Sequence, residues 1–237
     1  MKGHDTLEDI YVDGTYLAKN PGWHVEESAW KAKQISRMLR RHNLVPETIC
    51  DVGCGVGEVL KELQKRVNDR CSLWGYDISP QAIELSAPRA NEQLHFKLAD
   101  IQQEGDAAFD LILLMDVIEH LEDYFSFLRA IKPKSQYKIL HIPLDLSAQM
   151  ILRRRGLLHV HDAYGHVHYF TKEIAIRILQ DSGYEVVDSF YTRRALELPT
   201  QVLGKRLLQL PRRFLFALRQ DLTARLLGGF SLLVLAK

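Results

Sequence analysis

Long hydrophobic runs are missing from this 237-residue chain: no apolar stretch approaches ~18 residues, so no span across a bilayer is expected. The first residues, Met1-Lys2-Gly3-His4-Asp5, lack the apolar core of a signal peptide. Cysteine is scarce. Cys50, Cys54 and Cys71 are odd in number and have no metal-ligand spacing, which argues against a disulfide framework or thiolate metal site and for a reduced, cytoplasmic protein. Charge of one sign is lacking too: 31 basic residues against 30 acidic ones remove the global signature of a nucleic-acid binder. What remains, 46% apolar and 26% charged, describes an ordinary globule long enough for one elaborated α/β domain.

The informative stretch is Thr48-Ile49-Cys50-Asp51-Val52-Gly53-Cys54-Gly55-Val56-Gly57-Glu58-Val59-Leu60. Ile49 and Val52 read as a short buried strand, and from Glu58 onward the apolar spacing is helical, so three glycines sit at a strand-to-helix turn. Glycine there accepts positive φ and lets a ligand lie against bare backbone. Such a turn is the usual nucleoside site of an open α/β sheet, and the glycines alone leave a dinucleotide and S-adenosylmethionine both open. A second strand, Leu73 to Asp77, ends in a carboxylate 20 positions after Gly57, placed to accept from ribose hydroxyls. The spacing is G-x-G-x-G rather than G-x-G-x-x-G, with Asp51 two residues before the first glycine. That carboxylate would repel a pyrophosphate but suits an ammonium and a sulfonium, which favours S-adenosylmethionine.

With these residues in view, the chain resembles the class I S-adenosylmethionine-dependent methyltransferases, in particular the small-molecule branch that includes ubiquinone-biosynthesis O-methyltransferases. The resemblance is carried in order by Asp51 to Gly57, Tyr76-Asp77-Ile78-Ser79, Leu98-Ala99-Asp100-Ile101 and Phe109 to Leu121. It implies a Rossmann-like α/β fold, a seven-stranded sheet in the order 3-2-1-4-5-7-6 with strand 7 antiparallel. It also implies a cofactor set of Asp51, Gly53, Cys54, Gly55, Gly57, Asp77, Ile78, Asp100, Ile101, Met115 and Asp116. In similar proteins the residue matching Asp100 bonds the adenine amino group, Ile78 and Ile101 would sandwich the ring, and Met115 would lie against the cofactor. S-adenosyl-L-homocysteine is the implied product, and the methyl group is expected to pass to an O or N of a small molecule by in-line displacement.

Around this core, residues 1–45 are expected to form an N-terminal cap and 46–237 the methyltransferase domain. The cap is either a surface arm or a lid from which Trp23, His24 or Lys31 reaches the site. Its helix, Trp30 to Arg41, turns Ile35, Met38 and Leu39 inward and Lys31, Lys33, Arg37 and Arg40 outward. Leu94, Phe96 and Leu98 alternate inward on the third strand, and Ile174, Ile178 and Leu179 face inward on a helix opened by Thr171. His120, in Glu119-His120-Leu121, is a candidate general base or the cap of the next helix. Residues 145–170 read as a long loop walling the acceptor pocket. It carries His159, His161, His166 and His168, the last a second candidate for catalysis. With no cysteine nearby and Asp162 the one carboxylate among them, no metal is expected.

Residues 198–228 replace a short hairpin with amphipathic, basic sequence. From Arg193 to Arg225 eight basic residues face two acidic ones, +6 locally. Leucines repeat at three and four positions, and Pro211 is placed at the start of a second helix. A docked helical pair with a solvated basic face is one reading; a peripheral membrane, anionic-ligand or dimer contact is the other. An Asn/Asp-Pro-Pro-aromatic signature of base-modifying enzymes is absent after the fourth strand, where Asp116-Val117-Ile118-Glu119 stands, so nucleic acid is not the expected partner. An RNA methyltransferase and a cofactor-binding scaffold without turnover stay open as alternatives.

Overall fold

The computed structural model describes residues 9–23, 25–105, 107–198 and 203–237. Seven strands, β1 (Thr48–Val52), β2 (Ser72–Asp77), β3 (Leu94–Leu98), β4 (Phe109–Met115), β5 (Ser135–Pro143), β6 (Val186–Thr192) and β7 (Ser231–Ala236), form one sheet. Their order is β3-β2-β1-β4-β5-β7-β6, the expected one. β1 to β5 run parallel, and β7 is antiparallel to both β5 and β6. Order reverses between β1 and β4, so their carboxyl ends frame the crevice where open α/β sheets take ligands.

The central strands are buried on both faces, which is why their sequences are continuously apolar rather than alternating. Successive residues divide between two cores. Ile49, Leu111, Leu113, Ile139 and Leu233 pack with Ile35 and Met38 of α1 (Ser28–Arg41) and Leu60 of α2 (Glu58–Gln64). Cys50, Ile112, Leu114, Leu140 and Val234 pack on the other face with Phe127 and Leu128 of α4 (Tyr124–Ile131) and Leu179 of α7 (Lys172–Asp181). α3 (Pro80–Ser86) starts at the expected cap, the Ser79 hydroxyl accepting from the Ala82 amide with proline at the first position.

Several expectations fail for identifiable reasons. Leu98 is 51% exposed, because β3 is an edge strand and its last residues have no layer over them. On α7 the buried stripe is Ala175, Ile178 and Leu179, and Ile174 in the first turn lies outside it. Residues 145–170 are not a plain loop. They hold α5 (Ala148–Leu152), capped by Ser147, and α6 (Gly156–Tyr164), ended by Gly165 in the left-handed region. Both helices are short and carry exposed apolar side chains, so no periodic stripe announces them. Pro211 lies inside α8 (Leu203–Leu218) rather than starting a helix, and α9 (Gln220–Leu227) follows. Among the described residues no helix is long and apolar enough to cross a membrane.

Replacing fully buried Leu113 by alanine is expected to lower unfolding free energy by about 2–5 kcal/mol, whereas Leu98→Ser should stay within about 0.5 kcal/mol. Urea unfolding of the two variants checks both; equal losses would mean that the end of β3 is covered.

Candidate functional site

The turn after β1 is built as its glycines require. Gly53, Gly55 and Gly57 have φ of +71°, +53° and +77°. A Cβ on Gly57 would stand 2.2 Å from the Phe96 ring, so that position has neither the dihedral nor the room for a side chain. The turn is pinned to β2: the Gly53 and Cys54 amides donate to the Tyr76 carbonyl at 2.8 and 3.1 Å, and the Gly55 amide donates to Asp77 Oδ2 at 2.8 Å. Asp77 Oδ1 accepts from the Ser79 amide, so this carboxylate already fixes the loop geometry while retaining free lone pairs. Burial raises its pKa, and the amides of Ser79, Gly55 and Ile78 oppose that.

Asp51, at the end of β1, is different. It is buried, and neither carboxylate oxygen has a hydrogen-bond partner. Burial pushes its pKa up to about 7; Lys31 pulls it down, and Asp77 and Asp116 push it up. Such an orphaned carboxylate is costly unless a cation arrives. Glu119 is likewise buried, lacks partners at both oxygens, and is raised well above its ordinary value by burial and by Asp116.

Asp116, by contrast, is fully engaged. Its Oδ2 meets Lys31 Nζ at 2.6 Å and its Oδ1 meets His141 Nδ1 at 2.5 Å, while His141 Nε2 lies 2.8 Å from Thr192 Oγ1. Burial would favour its neutral form, but His141 and Lys31 overcome that and hold it far below the usual carboxylate range. Its φ of +63°, uncommon for a side chain with a Cβ, turns the carboxylate off the strand end towards these partners. Lys31 therefore points inward, against the helical-face assignment. It lies four residues before Ile35 and seven before Met38, the stripe that packs on the sheet, so the signal was present in the spacing.

The N-terminal segment lies across this site. A Cβ on Gly55 would stand 3.2 Å from Trp23 Cε3, Gln81 Nε2 donates to the Val12 carbonyl, and Tyr11 Oη is 3.0 Å from His120 Nδ1. Trp23 Nε1 is buried without a partner. His24 falls outside the described residues.

His120 Nδ1 is also 3.1 Å from the Gly165 carbonyl, which can only accept, so the tautomer that donates to Gly165 from Nδ1 keeps its lone pair on Nε2, whereas the tautomer that accepts from the Tyr11 hydroxyl carries its proton there. Burial and the neighbouring His166 lower its pKa to about 4, so the ring is neutral at pH 7. His166 packs edge-on to His120 at 4.9 Å, with its Nδ1 2.8 Å from Asp145 Oδ2. Glu119, His120 and His166 bring potential ligand atoms within 4.8 Å of one another, a grouping that could hold a metal ion and was invisible in the sequence. His168 has a different setting: Nε2 lies 2.9 Å from the Leu121 carbonyl, and its ring packs on Tyr124.

The remaining predicted residues divide. Met115 and Cys54 are buried beside the turn, and Ile78 is half-buried after Asp77. Asp100 caps a short turn by accepting from the Gln102 amide, with the adjoining Ala99 amide bonded to the Asp77 carbonyl. Ile101 packs into the core, with 1% of its surface exposed. Glu119 and His141 are the functional candidates that the reading of site residues missed, whereas Lys31 was named as a residue the cap could bring to the site and His166 as part of the segment walling the acceptor pocket. His141 is the one most open to detection, as a lone imidazole in the apolar run of β5.

Known proteins resemble this chain in part of the sequence and in the fold. Norajmaline N-methyltransferase of Rauvolfia serpentina is 29% identical over 138 residues, 53% of this chain and 45% of the relative. Ubiquinone biosynthesis O-methyltransferase of Caulobacter vibrioides is 36% identical over 88 residues, 35% of this chain and 34% of the relative. The chain thus spans about a third to a half of the length of the curated relatives it matches. Among solved structures, magnesium protoporphyrin IX methyltransferase (ChlM) from Synechocystis PCC 6803 with bound SAM shares the fold with a TM-score of 0.62, at 15% identity over 100% of this chain and 99% of that one. N-methyltransferase NodS from Bradyrhizobium japonicum WM9, in complex with S-adenosyl-L-homocysteine, has a TM-score of 0.54 at 16% identity, covering 86% and 85%. A methyltransferase-domain family model matches residues 23–189, more than two-thirds of the sequence, from within the cap into β6, and this chain belongs to that methyltransferase family.

Proposed function

We propose that this protein uses S-adenosyl-L-methionine to methylate an O or N atom of a small-molecule acceptor. The observation that carries the reading is the pair of unpartnered oxygens of buried Asp51 beside a turn in which alternate residues are glycines at positive φ. An α-ammonium group is the cation that fits such a place, and a dinucleotide has none to offer. When bound, the cofactor supplies a methyl group already activated by its sulfonium. Asp51 would hold the ammonium, the glycine backbone would lie along the ligand, and the lone pairs left on Asp77 would take the ribose hydroxyls. Ile78 and Asp100 follow β2 and β3 at the adenosine end, and Met115 lies beside the turn.

The protein's own task is then alignment, which can contribute up to ~7–11 kcal/mol. Tyr11, Trp23 and the rest of residues 9–23 would act as a lid that excludes water. His120 and His166 adjoin Glu119 and would form the acceptor side. A neutral His120 that donates from Nδ1 to the Gly165 carbonyl would have its lone pair on Nε2 to take a proton from an alcohol, phenol or ammonium acceptor. The small-molecule N- and O-methyltransferases among the partial relatives support this acceptor class. Three buried, unpaired cysteines fit a cytoplasmic location.

Calorimetry should show uptake of S-adenosylhomocysteine but not of NADH, and Asp51→Asn should weaken it at least ~30-fold, since one charge of a buried pair is lost. Uptake of NADH alone would end the reading.

The same carboxylate has a signature in the free protein. Between pH about 4 and 7 folded Asp51 retains a proton that the unfolded chain has lost, so unfolding free energy falls as pH rises through that window. Chemical denaturation should show a decline in wild type, relative to Asp51→Asn, on the order of 4 kcal/mol at most. A flat difference curve would mean that Asp51 is solvated.

Residues 11–31 should become protected from limited proteolysis when S-adenosylhomocysteine is added; unchanged cleavage would remove the lid. His120→Ala should cut transfer of labelled methyl groups to a cell extract by about 10²–10⁴-fold with cofactor affinity retained. Full transfer by that variant would assign the base elsewhere.

A further inference from the structure

Four helices between β5 and β7, namely α5, α6, α8 and α9, carry large apolar side chains on the outside. On α8, Leu210, Phe214 and Leu218 recur every four residues, and all are exposed, Phe214 by 66%. The side facing the protein is held instead by Phe216, stacked on Phe230 at 4.7 Å, and by arginines bonded to backbone. Arg213 donates to the Leu196 carbonyl at 2.6 Å, and Arg212 reaches both the Leu227 carbonyl and Gln149. The expected docked apolar face is thus exposed on the described part of α8.

The exposed stripe has neighbours. Leu222 and Leu226 of α9 are about half exposed. The Arg212–Gln149 bond ties α8 to α5, and α9 ends where Gly228 packs directly on Ser147, the cap of α5. α5 then presents Ile151 and Leu152, the latter 85% exposed, and α6 adds Leu158. An apolar surface spread over four adjoining helices is not chance scatter of single leucines.

The charge around it is mostly basic, with Asp162 of α6 and Asp221 of α9 as acidic exceptions that are each already paired. Arg153, Arg154 and Arg155 separate α5 from α6, and Arg219 stands at the corner between α8 and α9. Of these, Arg155 pairs with Asp162 at 3.1 Å, while Arg154 and Arg219 form no ion pair among the described residues. Exposed leucines and phenylalanine ringed by uncommitted arginines match an interface in which apolar tails lie behind anionic headgroups. A two-fold contact with a second copy fits less well, because the same arginine-rimmed patch would have to meet itself.

We infer that α5, α6, α8 and α9 together form a docking face for an anionic lipid bilayer, with Leu152, Phe214 and their neighbours entering the headgroup boundary and the arginines contacting lipid phosphates. α6 runs from this face to Gly165, the residue whose carbonyl holds His120, so the lipid surface would lie one helix away from the candidate acceptor side.

Flotation of the whole protein with vesicles, in the absence of cofactor, tests this separately from methyl transfer. Vesicles of phosphatidylcholine mixed equally with phosphatidylglycerol should carry the protein, and pure phosphatidylcholine should carry at least ~10-fold less. Leu152→Ser with Phe214→Ser should reduce partitioning at least ~10-fold without shifting the thermal melt, because both side chains are exposed. Arg154→Gln should weaken binding to the anionic vesicles alone, by about fivefold. No flotation with either vesicle, or flotation unchanged in the serine variant, overturns the inference. So does a dimer in sedimentation velocity that Phe214→Ser dissolves.

Discussion

The site is governed by a charge imbalance that the chain does not resolve internally. Asp51, Asp77, Asp116 and Glu119 converge on the carboxyl ends of β1, β2 and β4, and Lys31 is the lysine that enters among them. Lys31 cannot serve them all. Asp116 takes it, with His141 as a second partner, and Asp77 is satisfied by backbone amides. Asp51 and Glu119 are left with raised pKa values and unpartnered oxygens. Burying a carboxylate without a partner costs several kcal/mol, and its retention beside a bare glycine turn is intelligible where a cation completes the set.

The rest of the architecture follows from holding those four side chains in place. Two apolar cores clamp the sheet from either face, so the strand ends are rigid. α1 contributes both to one core, through Ile35 and Met38, and to the site, through Lys31. The cap is therefore coupled to the strands by packing and by charge, and the segment before it lays Tyr11 and Trp23 over the crevice. On the far side, Asp145 and the Gly165 carbonyl orient His166 and His120, each by a bond at Nδ1. Orientation of both rings thus depends on the chain between β5 and α7, the region that also bears the exposed apolar helices.

How far this could be read beforehand depends on the range of the forces involved. The sheet, its central buried strands and the glycine turn were legible, because positive φ, strand-to-helix spacing and unbroken apolar runs are local demands that leave local marks. Edge effects were not: Leu98 alternates correctly yet faces solvent, since alternation says which side a residue takes and not whether anything covers it. Asp100 and His168 sat in recognisable motifs, but their present partners, Gln102 and the Leu121 carbonyl, are properties of turn and packing.

The sequence by itself determined the position of the glycine turn and the sign of the charge beside it, because each is set by residues within one strand-turn-helix unit, while the strand order followed from four ordered motifs through the resemblance they carry. Tertiary structure alone decided which carboxylates find partners and which are left alone, since Lys31, Asp116, His141 and Thr192 come from four separate elements. It also decided which side of an amphipathic helix faces the protein. Periodicity defines two faces of α8, but the choice between them rests on where Phe230, Leu196 and Gln149 lie to receive it.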